Sequence, residues 1–190
     1  MEWLGGAGYI GSYVNKALSQ MGYETVVFDN LVYGHREAVK WGTFVQGDLK
    51  NPEEVEAVFQ RFPIEAVFHF AAYAYVGESV TDPEKYYFNN VANTFDLLHA
   101  MRKHGCDKII SSLTCATYGE PEQMPITEDT GRDFPVICAD RRAGDPAEPV
   151  GSSEKAKRIL GWEPRYAEID TIVAHAWKWK QRMKDRKEIA

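Results

Sequence analysis

Cysteine is scarce in this sequence, whose 190 residues include only Cys106, Cys115 and Cys138. The number is odd, and no two of the three stand in a C-x-x-C pair. A disulfide scaffold shows an even set of spaced cysteines, and a thiolate zinc site shows close pairs. The sequence therefore argues against both, and we expect a reduced, cytoplasmic setting and no metal site.

Positive charge and long apolar runs are lacking as well. Lys and Arg total 22 against 28 Asp and Glu, a net charge of −6, whereas a protein that binds nucleic-acid phosphates needs a basic face. No apolar run approaches the ~20 residues that span a bilayer. Residues 1–5 have neither the basic region nor the long apolar core of a signal peptide. We therefore expect no nucleic-acid partner and no membrane partner.

The sequence does contain an alternation of short apolar runs and helical patterns. Strands are predicted at residues 25–28, 43–46, 66–70 and 107–112, with helical patterns between them and a long helix at 83–104. This alternation predicts an α/β protein with a parallel sheet covered by helices on both faces. We expect a doubly wound sheet of Rossmann type, about five strands in the order 3-2-1-4-5, with ligands at the carboxyl ends of the strands.

A glycine-rich turn precedes the first predicted helix. Gly6-x-Gly8-x-x-Gly11 fits the dinucleotide-binding fingerprint, and Gly5-x-x-Gly8-x-x-Gly11 fits its wider-spaced variant. One glycine allows the tight turn, one lets the backbone approach a pyrophosphate, and one lets the helix pack closely on the strand. The helix N-terminus then favours the phosphate charge. An ordinary glycine turn is the alternative interpretation.

Asp29 stands at the end of the second predicted strand, at the distance from Gly11 that the fingerprint requires. A carboxylate there can accept hydrogen bonds from the adenosine ribose hydroxyls, which favours NAD over NADP. The alternative for Asp29 is an acid that stabilises a turn or caps a helix. Arg36 is near enough in sequence to keep NADP as an alternative cofactor. Together, the glycine turn and Asp29 predict an NAD site.

Several further motifs share one family likeness. They are Asp29-Asn30-Leu31, Gly47-Asp48-Leu49, His69-Phe70-Ala71-Ala72, Val76-Gly77-Glu78-Ser79, Tyr86-Tyr87-Phe88-Asn89-Asn90-Val91 and Ala116-Thr117-Tyr118-Gly119-Glu120-Pro121. With the glycine turn, they resemble the UDP-glucose 4-epimerase family of extended short-chain dehydrogenases/reductases over residues 5–129. The tail resembles that family's C-terminal end at residues 141–146, 153–157 and 160–164.

The resemblance implies an NAD-dependent interconversion of UDP-glucose and UDP-galactose through a 4-keto sugar, with the tyrosine of a Y-x-x-x-K pair as base. It implies that Thr114 holds the sugar hydroxyl, for which a turn threonine is the alternative. It also implies that Arg142 and Asp145 contact the UDP-sugar, for which a charged surface loop is the alternative. The implied cofactor-binding residues are Gly5, Gly8, Tyr9, Ile10, Gly11, Asp29, Asn30, Asp48, Leu49, Phe70, Ala71, Ala72 and Asn89.

The sequence departs from this family at one essential point. None of its ten tyrosines has a lysine four residues on, so the Y-x-x-x-K pair is absent. Residues 125–129 precede that pair in the family, whereas residues 130–133 resemble a segment near the family C-terminus. A stretch of roughly 140 residues, the size of a domain, is therefore missing between them. We predict an NAD-binding Rossmann domain over 1–129 and a remnant of the nucleotide-sugar-binding region over 130–190.

Two functions are consistent with this sequence. The first is a UDP-glucose 4-epimerase-like protein whose catalysis is impaired. The alternative is a non-catalytic dinucleotide-binding module, or a fragment that pairs with a full-length subunit, so whether the chain is an enzyme stays open. A homodimer is compatible with either. We interpret His69 as a hydrogen-bonded core residue, Cys115 as a packing residue, and the amphipathic pattern at 169–177 as a packing helix.

Overall fold

A computed structural model describes residues 2–4, 6–112 and 154–187. The chain divides into two compact units, Met1–Pro149 and Val150–Ala190, which we treat separately. The domain boundary that the sequence predicts at residues 129 and 130 falls outside the described residues and stays a prediction. Among the described residues, no helix combines the length and the apolar character that crossing a membrane requires.

The first unit is built on a parallel five-stranded sheet. The strands are β1 (Glu2–Leu4), β2 (Val26–Asp29), β3 (Thr43–Gln46), β4 (Val67–His69) and β5 (Ile109–Ser111). They lie side by side in the order β3-β2-β1-β4-β5, which is the order that the sequence predicts. In the register, Leu4 pairs with Phe28 on one side and with His69 on the other. The ends of β1, β2 and β4 therefore lie together at one edge of the sheet.

Helices connect the strands. They are α1 (Tyr9–Gln20), α2 (Pro52–Arg61), α3 (Val76–Thr81), α4 (Pro83–Tyr87) and α5 (Asn93–Lys103), with a short 3₁₀ turn at Arg36–Ala38. Pro83 occupies the first turn of α4, and the Asp82 carboxylate accepts the Lys85 backbone N–H there, at 3.3 Å. Both features favour a helix start.

Two predicted helix boundaries differ from the structure. The sequence predicts a first helix from Ser12 to about Met21, but α1 begins at Tyr9, because Gly8 is already its N-cap residue and the Ser12 N–H donates to the Gly8 carbonyl at 3.0 Å. The long helix predicted at 83–104 is interrupted by a π-helical turn, Phe88–Ala92, between α4 and α5. A π-helical turn is rare, so an uninterrupted α-helix is the default prediction for such an apolar pattern.

Apolar side chains cover both faces of the sheet. Val26 and Phe28 point to one face, where they join a core that includes Leu97 and Met101 of α5. Val27 points to the other face and packs in a second core, which contains Ala7, Leu18 and Val39. Alternate residues of one strand thus supply both cores, as expected for a doubly wound sheet.

The second unit contains α6 (Glu154–Leu160) and α7 (Ile169–Lys187). Tyr166 and His175 form an edge-to-face ring contact with centroids 5.6 Å apart. Of the packing face predicted for α7, Ile169, Val173 and Trp177 are exposed, whereas Ile172 and Ala176 are half-buried. The predicted packing is therefore only partly formed among the described residues.

Candidate functional site

A pocket opens at the carboxyl edge of the sheet. Its wall comes from the glycine turn and from the segments that follow β2, β3 and β4. The lining residues are Gly8, Phe28, Asp29, Asn30, Tyr33, Gly34, Gly47, Asp48, Leu49, Phe70, Ala71, Ala72, Tyr73 and Asn89. The pocket thus lies where a doubly wound sheet binds its ligands.

Asp29 organises one side of this pocket. Its Oδ2 accepts the Ala7 backbone N–H at 3.0 Å, and its Oδ1 accepts the Leu31 backbone N–H at 2.8 Å. The side chain is buried, yet a carboxylate offers about four lone-pair sites, so acceptor capacity remains for a ligand. Leu31 has a positive φ of 62°, a conformation that costs free energy in a residue other than glycine. The Asp29 bond compensates for this strain at the pocket edge.

The loop after β2 folds back onto the glycine turn at Gly34. The N–H of His35 donates to the Ala7 carbonyl at 3.0 Å. A Cβ atom on Gly34 would lie 2.7 Å from Asp29 Oδ1 and 2.8 Å from the Ala7 Cβ. Only glycine therefore lets the loop approach both groups so closely.

The loop after β3 contributes a second carboxylate. Asp48 Oδ2 accepts a hydrogen bond from the Asn30 side-chain amide at 3.2 Å, which joins the loops after β2 and β3. The Asp48 backbone N–H donates to the Glu54 carboxylate at 2.8 Å, which fixes this loop to α2. A Cβ on Gly47 would collide with the Phe28 ring. Asp48 is thereby held facing the pocket beside the buried Leu49.

The opposite wall is the segment after β4. Ala71 and Ala72 present small side chains to the pocket. The buried Asn89, in the π-helical turn, donates from its Nδ2 to the Ala71 carbonyl at 3.0 Å. Small residues leave the space that a flat ligand needs to approach the backbone.

His69 lies beneath this wall and is buried, as the sequence predicts. Its Nε2 is 3.2 Å from Thr94 Oγ1, and the Thr94 hydroxyl donates its single proton to the Asn90 carbonyl at 2.9 Å. Thr94 must therefore accept from an Nε2–H, which leaves Nδ1 as a bare acceptor. Nδ1 is buried without a hydrogen-bond partner. Burial lowers the pKa of His69, so the ring stays neutral.

Arg36, whose charge kept NADP as an alternative cofactor, makes its contacts outside the pocket. Its guanidinium lies 4.5 Å above the centroid of the Phe44 ring and donates to the Val39 carbonyl at 3.2 Å. Arg36 does not line the pocket. This placement leaves Asp29 as the charge nearest the ribose position that the fingerprint predicts.

The structure brings most of the predicted cofactor residues together. Nine of them line the pocket: Gly8, Asp29, Asn30, Asp48, Leu49, Phe70, Ala71, Ala72 and Asn89. Tyr9, Ile10 and Gly11 instead form the first turn of α1 and are not part of the pocket wall. Gly5, Thr114, Arg142 and Asp145 lie outside the described residues, so their predicted roles stay predictions.

Five pocket residues were missed by sequence reasoning, namely Phe28, Tyr33, Gly34, Gly47 and Tyr73. Their position in the sequence could have identified them, because each lies in the same strand end or following loop as a predicted cofactor residue. Tyr33 and Gly34 belong to loops without periodicity, so only the returning chain path shows that they reach the pocket.

The pocket suits a dinucleotide. The N-terminus of α1 has no side-chain cap and no acidic residue in its first turn, so its N–H groups remain available to phosphate oxygens. The carboxylates of Asp29 and Asp48 lie on the other side and can accept from hydroxyl or amino groups. Within the described part of the chain, His, Cys, Asp and Glu form no group suited to a metal ion.

Comparison with known proteins supports this interpretation. Residues 4–136 match the model of the NAD dependent epimerase/dehydratase family. The chain is 43% identical to the UDP-glucose 4-epimerase of Lacticaseibacillus casei over 316 aligned positions, which cover 94% of this chain and 96% of that protein. Because the alignment is longer than the 190-residue chain, long internal gaps must lie opposite this chain.

Two further matches cover smaller shares of this chain and of the proteins that it is compared with. The UDP-glucose 4-epimerase of Rhizobium meliloti (strain 1021) is 47% identical over 125 residues, which are 66% of this chain and 38% of that protein. The crystal structure of the UDP-glucose 4-epimerase from Brucella ovis in complex with NAD superposes with a TM-score of 0.63 at 44% identity. It is matched by 78% of this chain, which spans 42% of its length. The chain thus spans less than half of these two proteins.

Proposed function

This chain belongs to the NAD dependent epimerase/dehydratase family and is UDP-glucose 4-epimerase-like, and from that premise we propose that it binds NAD in the pocket at the carboxyl edge of its sheet. The observation that carries the proposal is the convergence of four elements on one pocket: the glycine turn, Asp29, the loop after β3 and the small residues after β4. The dinucleotide fingerprint predicts the first two of these elements, and the family resemblance implies the other two.

Each group of pocket residues suits a different part of the cofactor. The N–H groups at the start of α1 suit the pyrophosphate. Asp29 suits the adenosine ribose hydroxyls and would repel a 2′-phosphate. Asp48 and Leu49 suit the adenine, the first as a hydrogen-bond acceptor and the second as an apolar surface. Ala71 and Ala72 leave room for the backbone to approach the cofactor.

We further propose that the chain is impaired as an epimerase. When bound, NAD would supply hydride transfer at C4 of a UDP-sugar. Thr114 would hold the sugar hydroxyl, and Arg142 and Asp145 would contact the UDP-sugar. The removal of the hydroxyl proton needs a positioned base, and the Y-x-x-x-K pair that would supply it is absent from the sequence. That absence favours the alternative, a non-catalytic dinucleotide-binding module.

Calorimetric titration of the chain with NAD and with NADP tests the cofactor proposal. We expect NAD to bind more tightly, because the buried Asp29 carboxylate opposes an added phosphate. The variant Gly8→Val should remain folded, since the Gly8 backbone (φ −79°, ψ 178°) is extended and open to any residue. It should lose NAD binding, because the added side chain would fill the space at the pyrophosphate. Normal binding by Gly8→Val, or equal binding of NADP, would contradict the assignment.

We propose a homodimer that forms through exposed apolar side chains of the π-helical turn and α5. Phe88, Val91, Phe95 and Leu98 are 59%, 46%, 65% and 39% exposed. Phe88 and Val91 lie in the π-helical turn, and Phe95 and Leu98 lie on α5, so one helical stretch carries all four exposed side chains. Antiparallel pairing of two copies about the middle of this stretch would bring Arg102 of one copy towards Glu84 of the other, so their charges are complementary.

Sedimentation of the chain tests the homodimer. We expect a mass of twice 21.6 kDa for the unmodified chain and a single-copy mass for Phe95→Asp. Tyr23→Asp is the matched control, since Tyr23 is also exposed but lies in the turn after α1. A single-copy mass for the unmodified chain, or the same mass for all three proteins, would refute this interface.

A further inference from the structure

We propose that Tyr86 and Asn90 are positioning residues of the cofactor pocket, which hold the backbone of the wall segment 71–75 in the shape that NAD requires. This inference rests on the proposed NAD site. Neither residue lines the pocket, whereas Ala71, Ala72 and Tyr73 of the wall segment do. Tyr86 and Asn90 would therefore act on the cofactor only through the wall segment.

Asn90 holds the middle of the wall segment by two hydrogen bonds. Its side-chain Oδ1 accepts the Tyr73 backbone N–H at 2.9 Å, and its Nδ2 donates to the Tyr73 carbonyl at 2.9 Å. One amide side chain thus satisfies both backbone groups of Tyr73. An asparagine is suited to this because its side chain carries a donor and an acceptor side by side.

Tyr86 holds the end of the wall segment in the same way. Its hydroxyl oxygen accepts the Tyr75 backbone N–H at 3.1 Å and lies 2.8 Å from the Tyr75 carbonyl oxygen. The hydroxyl also lies 2.8 Å from the Glu78 carboxylate. Because the hydroxyl carries one proton, it donates to one of these two oxygens at a time.

Every second residue of the wall segment is held in this manner. Asn89 donates to the Ala71 carbonyl, and Asn90 hydrogen-bonds both backbone groups of Tyr73. Tyr86 accepts from the Tyr75 N–H and shares its one proton between the Tyr75 carbonyl and the Glu78 carboxylate. A neighbouring strand would bond an extended segment with the same period of two. The sheet pairing of β4 ends at His69, and side chains from one helical stretch replace the strand beyond that point.

The π-helical turn makes this arrangement possible. Asn89 and Asn90 are adjacent in sequence, and both reach the wall segment from this turn. The Asn90 carbonyl is bonded in turn by Thr94, which His69 contacts from the end of β4. The turn is thus fixed to the sheet, which gives its asparagines a defined place.

The ring contacts of Tyr73 follow from the same positioning. Its ring lies 5.5 Å from that of Tyr33 across the pocket mouth and 5.9 Å from that of Tyr86. The Lys85 Nζ lies 4.8 Å from the centroid of the Tyr73 ring and is bonded to the Glu78 carboxylate at 2.6 Å. A correctly placed Tyr73 therefore connects the two loops that face the cofactor.

Two variants that remove the backbone bonds test the proposal. Tyr86→Phe keeps the ring and deletes the hydroxyl, and Asn90→Leu keeps the approximate volume and deletes both polar groups. For each, we expect the dissociation constant for NAD to rise about ten-fold, since each lost pair of hydrogen bonds frees part of the wall. Amide hydrogen exchange should accelerate at Tyr75 in Tyr86→Phe and at Tyr73 in Asn90→Leu, with the helix content unchanged.

Two further variants separate positioning from general stability. Tyr87→Phe changes a neighbouring tyrosine that is 70% exposed, and we expect unchanged exchange and unchanged NAD binding. Asn90→Asp keeps the acceptor for the Tyr73 N–H and loses the donor, so it should bind NAD better than Asn90→Leu. A variant that weakens the fold in general would accelerate exchange throughout the sheet instead.

The outcomes distinguish this inference from the proposed function. If the unmodified chain binds no NAD, the proposed function fails, and this inference fails with it. If the unmodified chain binds NAD and both Tyr86→Phe and Asn90→Leu bind it within about two-fold, only the positioning role is refuted. Loss of binding together with exchange confined to residues 73 and 75 supports the proposal.

Discussion

Asp29 joins two segments of the pocket that we propose for NAD. Its two carboxylate oxygens accept N–H groups from the glycine turn and from the loop after β2. Both segments line the pocket, so the acid fixes their spacing before any cofactor binds. Preorganisation of this kind reduces the ordering that a ligand must otherwise impose.

Gly34 is the position at which a single methyl group should disturb that arrangement. The variant Gly34→Ala would place its Cβ against Asp29 Oδ1 and the Ala7 Cβ. We expect the free energy of unfolding to fall by about 1–3 kcal/mol, the usual effect of overpacking, and NAD to bind more weakly because the Asp29 loop must move. Chemical denaturation and calorimetric titration measure the two effects.

Gly77→Ala is the matched control for Gly34→Ala. Gly77 lies in α3, and a Cβ there would meet no atom within 4 Å. Alanine favours a helix over glycine by about 0.8–1 kcal/mol, so this control should leave stability unchanged or raise it. Equal stability of Gly34→Ala and the unmodified chain would show that the loop is not closely packed on Asp29.

His69 should make the fold sensitive to mild acid. Its pKa is lowered by burial in the folded chain, so the unfolded chain takes up a proton at higher pH than the folded chain does. The neutral ring therefore contributes stability that is present above about pH 6.5 and is lost as the pH falls below that value. We expect the thermal midpoint to fall between pH 7.5 and pH 5, two values that bracket that pKa.

The variant His69→Phe isolates this effect, because it retains a ring and removes the titrating nitrogens. We expect a smaller acid-induced drop in its thermal midpoint, although loss of the Thr94 contact lowers the midpoint at every pH. His99→Phe, which replaces an exposed histidine of α5, should show the full drop. An identical drop in His69→Phe would assign the acid sensitivity to other groups.

At the scale of elements, the loops after β2, β3 and β4 are joined by polar side chains. Asn30 bonds Asp48 across two loops, and Asn90 bonds Tyr73 from the π-helical turn. The sequence predicts the helical stretch that carries Asn90 but not the π-helical turn within it, because such turns are rare and the apolar pattern does not mark them.

Helices α2 and α5 are joined by Glu56, whose Oε1 lies 2.7 Å from both Lys103 Nζ and His104 Nε2. These hydrogen bonds, that of Lys103 first, lower the pKa of Glu56 from 4.5 to about 2. A carboxyl with a depressed pKa contributes stability above its unfolded pKa. We expect that contribution to be lost as the pH falls from 4.5 towards 2.

Thermal denaturation of Glu56→Gln across this range of pH measures the contribution. The variant should be less stable than the unmodified chain at pH 6, and the difference should shrink as the pH approaches the lowered pKa of Glu56, about 2. Because this carboxylate is partly exposed, salt should reduce the difference. Glu65→Gln, an exposed acid between α2 and β4, should behave as the unmodified chain. A difference that stays constant with pH would rule out a role for the Glu56 charge.

At the scale of the whole molecule, the chain combines the pocket that we propose for NAD with a sequence that lacks the Y-x-x-x-K pair. We expect purified chain with UDP-galactose and NAD⁺ to turn over at least about 10²-fold more slowly than a full-length epimerase of the family. General-base catalysis accelerates a reaction by about 10²–10⁴-fold, and poor orientation of the sugar would lower the rate further. A coupled assay measures the rate.

Thr114→Val is the companion variant in that assay. Rapid turnover that is lost in this variant would show that the chain does catalyse, with another residue as base, and would contradict the prediction. Tyr75 and Tyr118 would then be the first residues to replace, since they lie nearest the predicted strand ends. Turnover unaffected by Thr114→Val would indicate a contaminating epimerase.

The sequence alone determined the parallel sheet, the glycine turn and the acid that ends β2. These features depend on local rules: alternating apolar runs, the conformational freedom of glycine, and one carboxylate at a strand end. The family resemblance was likewise a property of the sequence, carried by short motifs.

Only the tertiary structure decided which neighbours those features acquire. Gly34 on Ala7, Asn90 on Tyr73 and Asn30 on Asp48 join segments that are far apart in sequence. No local pattern encodes such pairs, because a loop's path is set by where the strands before and after it are anchored in the sheet. The sequence therefore predicts where the strands end, and the packing of the sheet and helices determines which residues are in contact there.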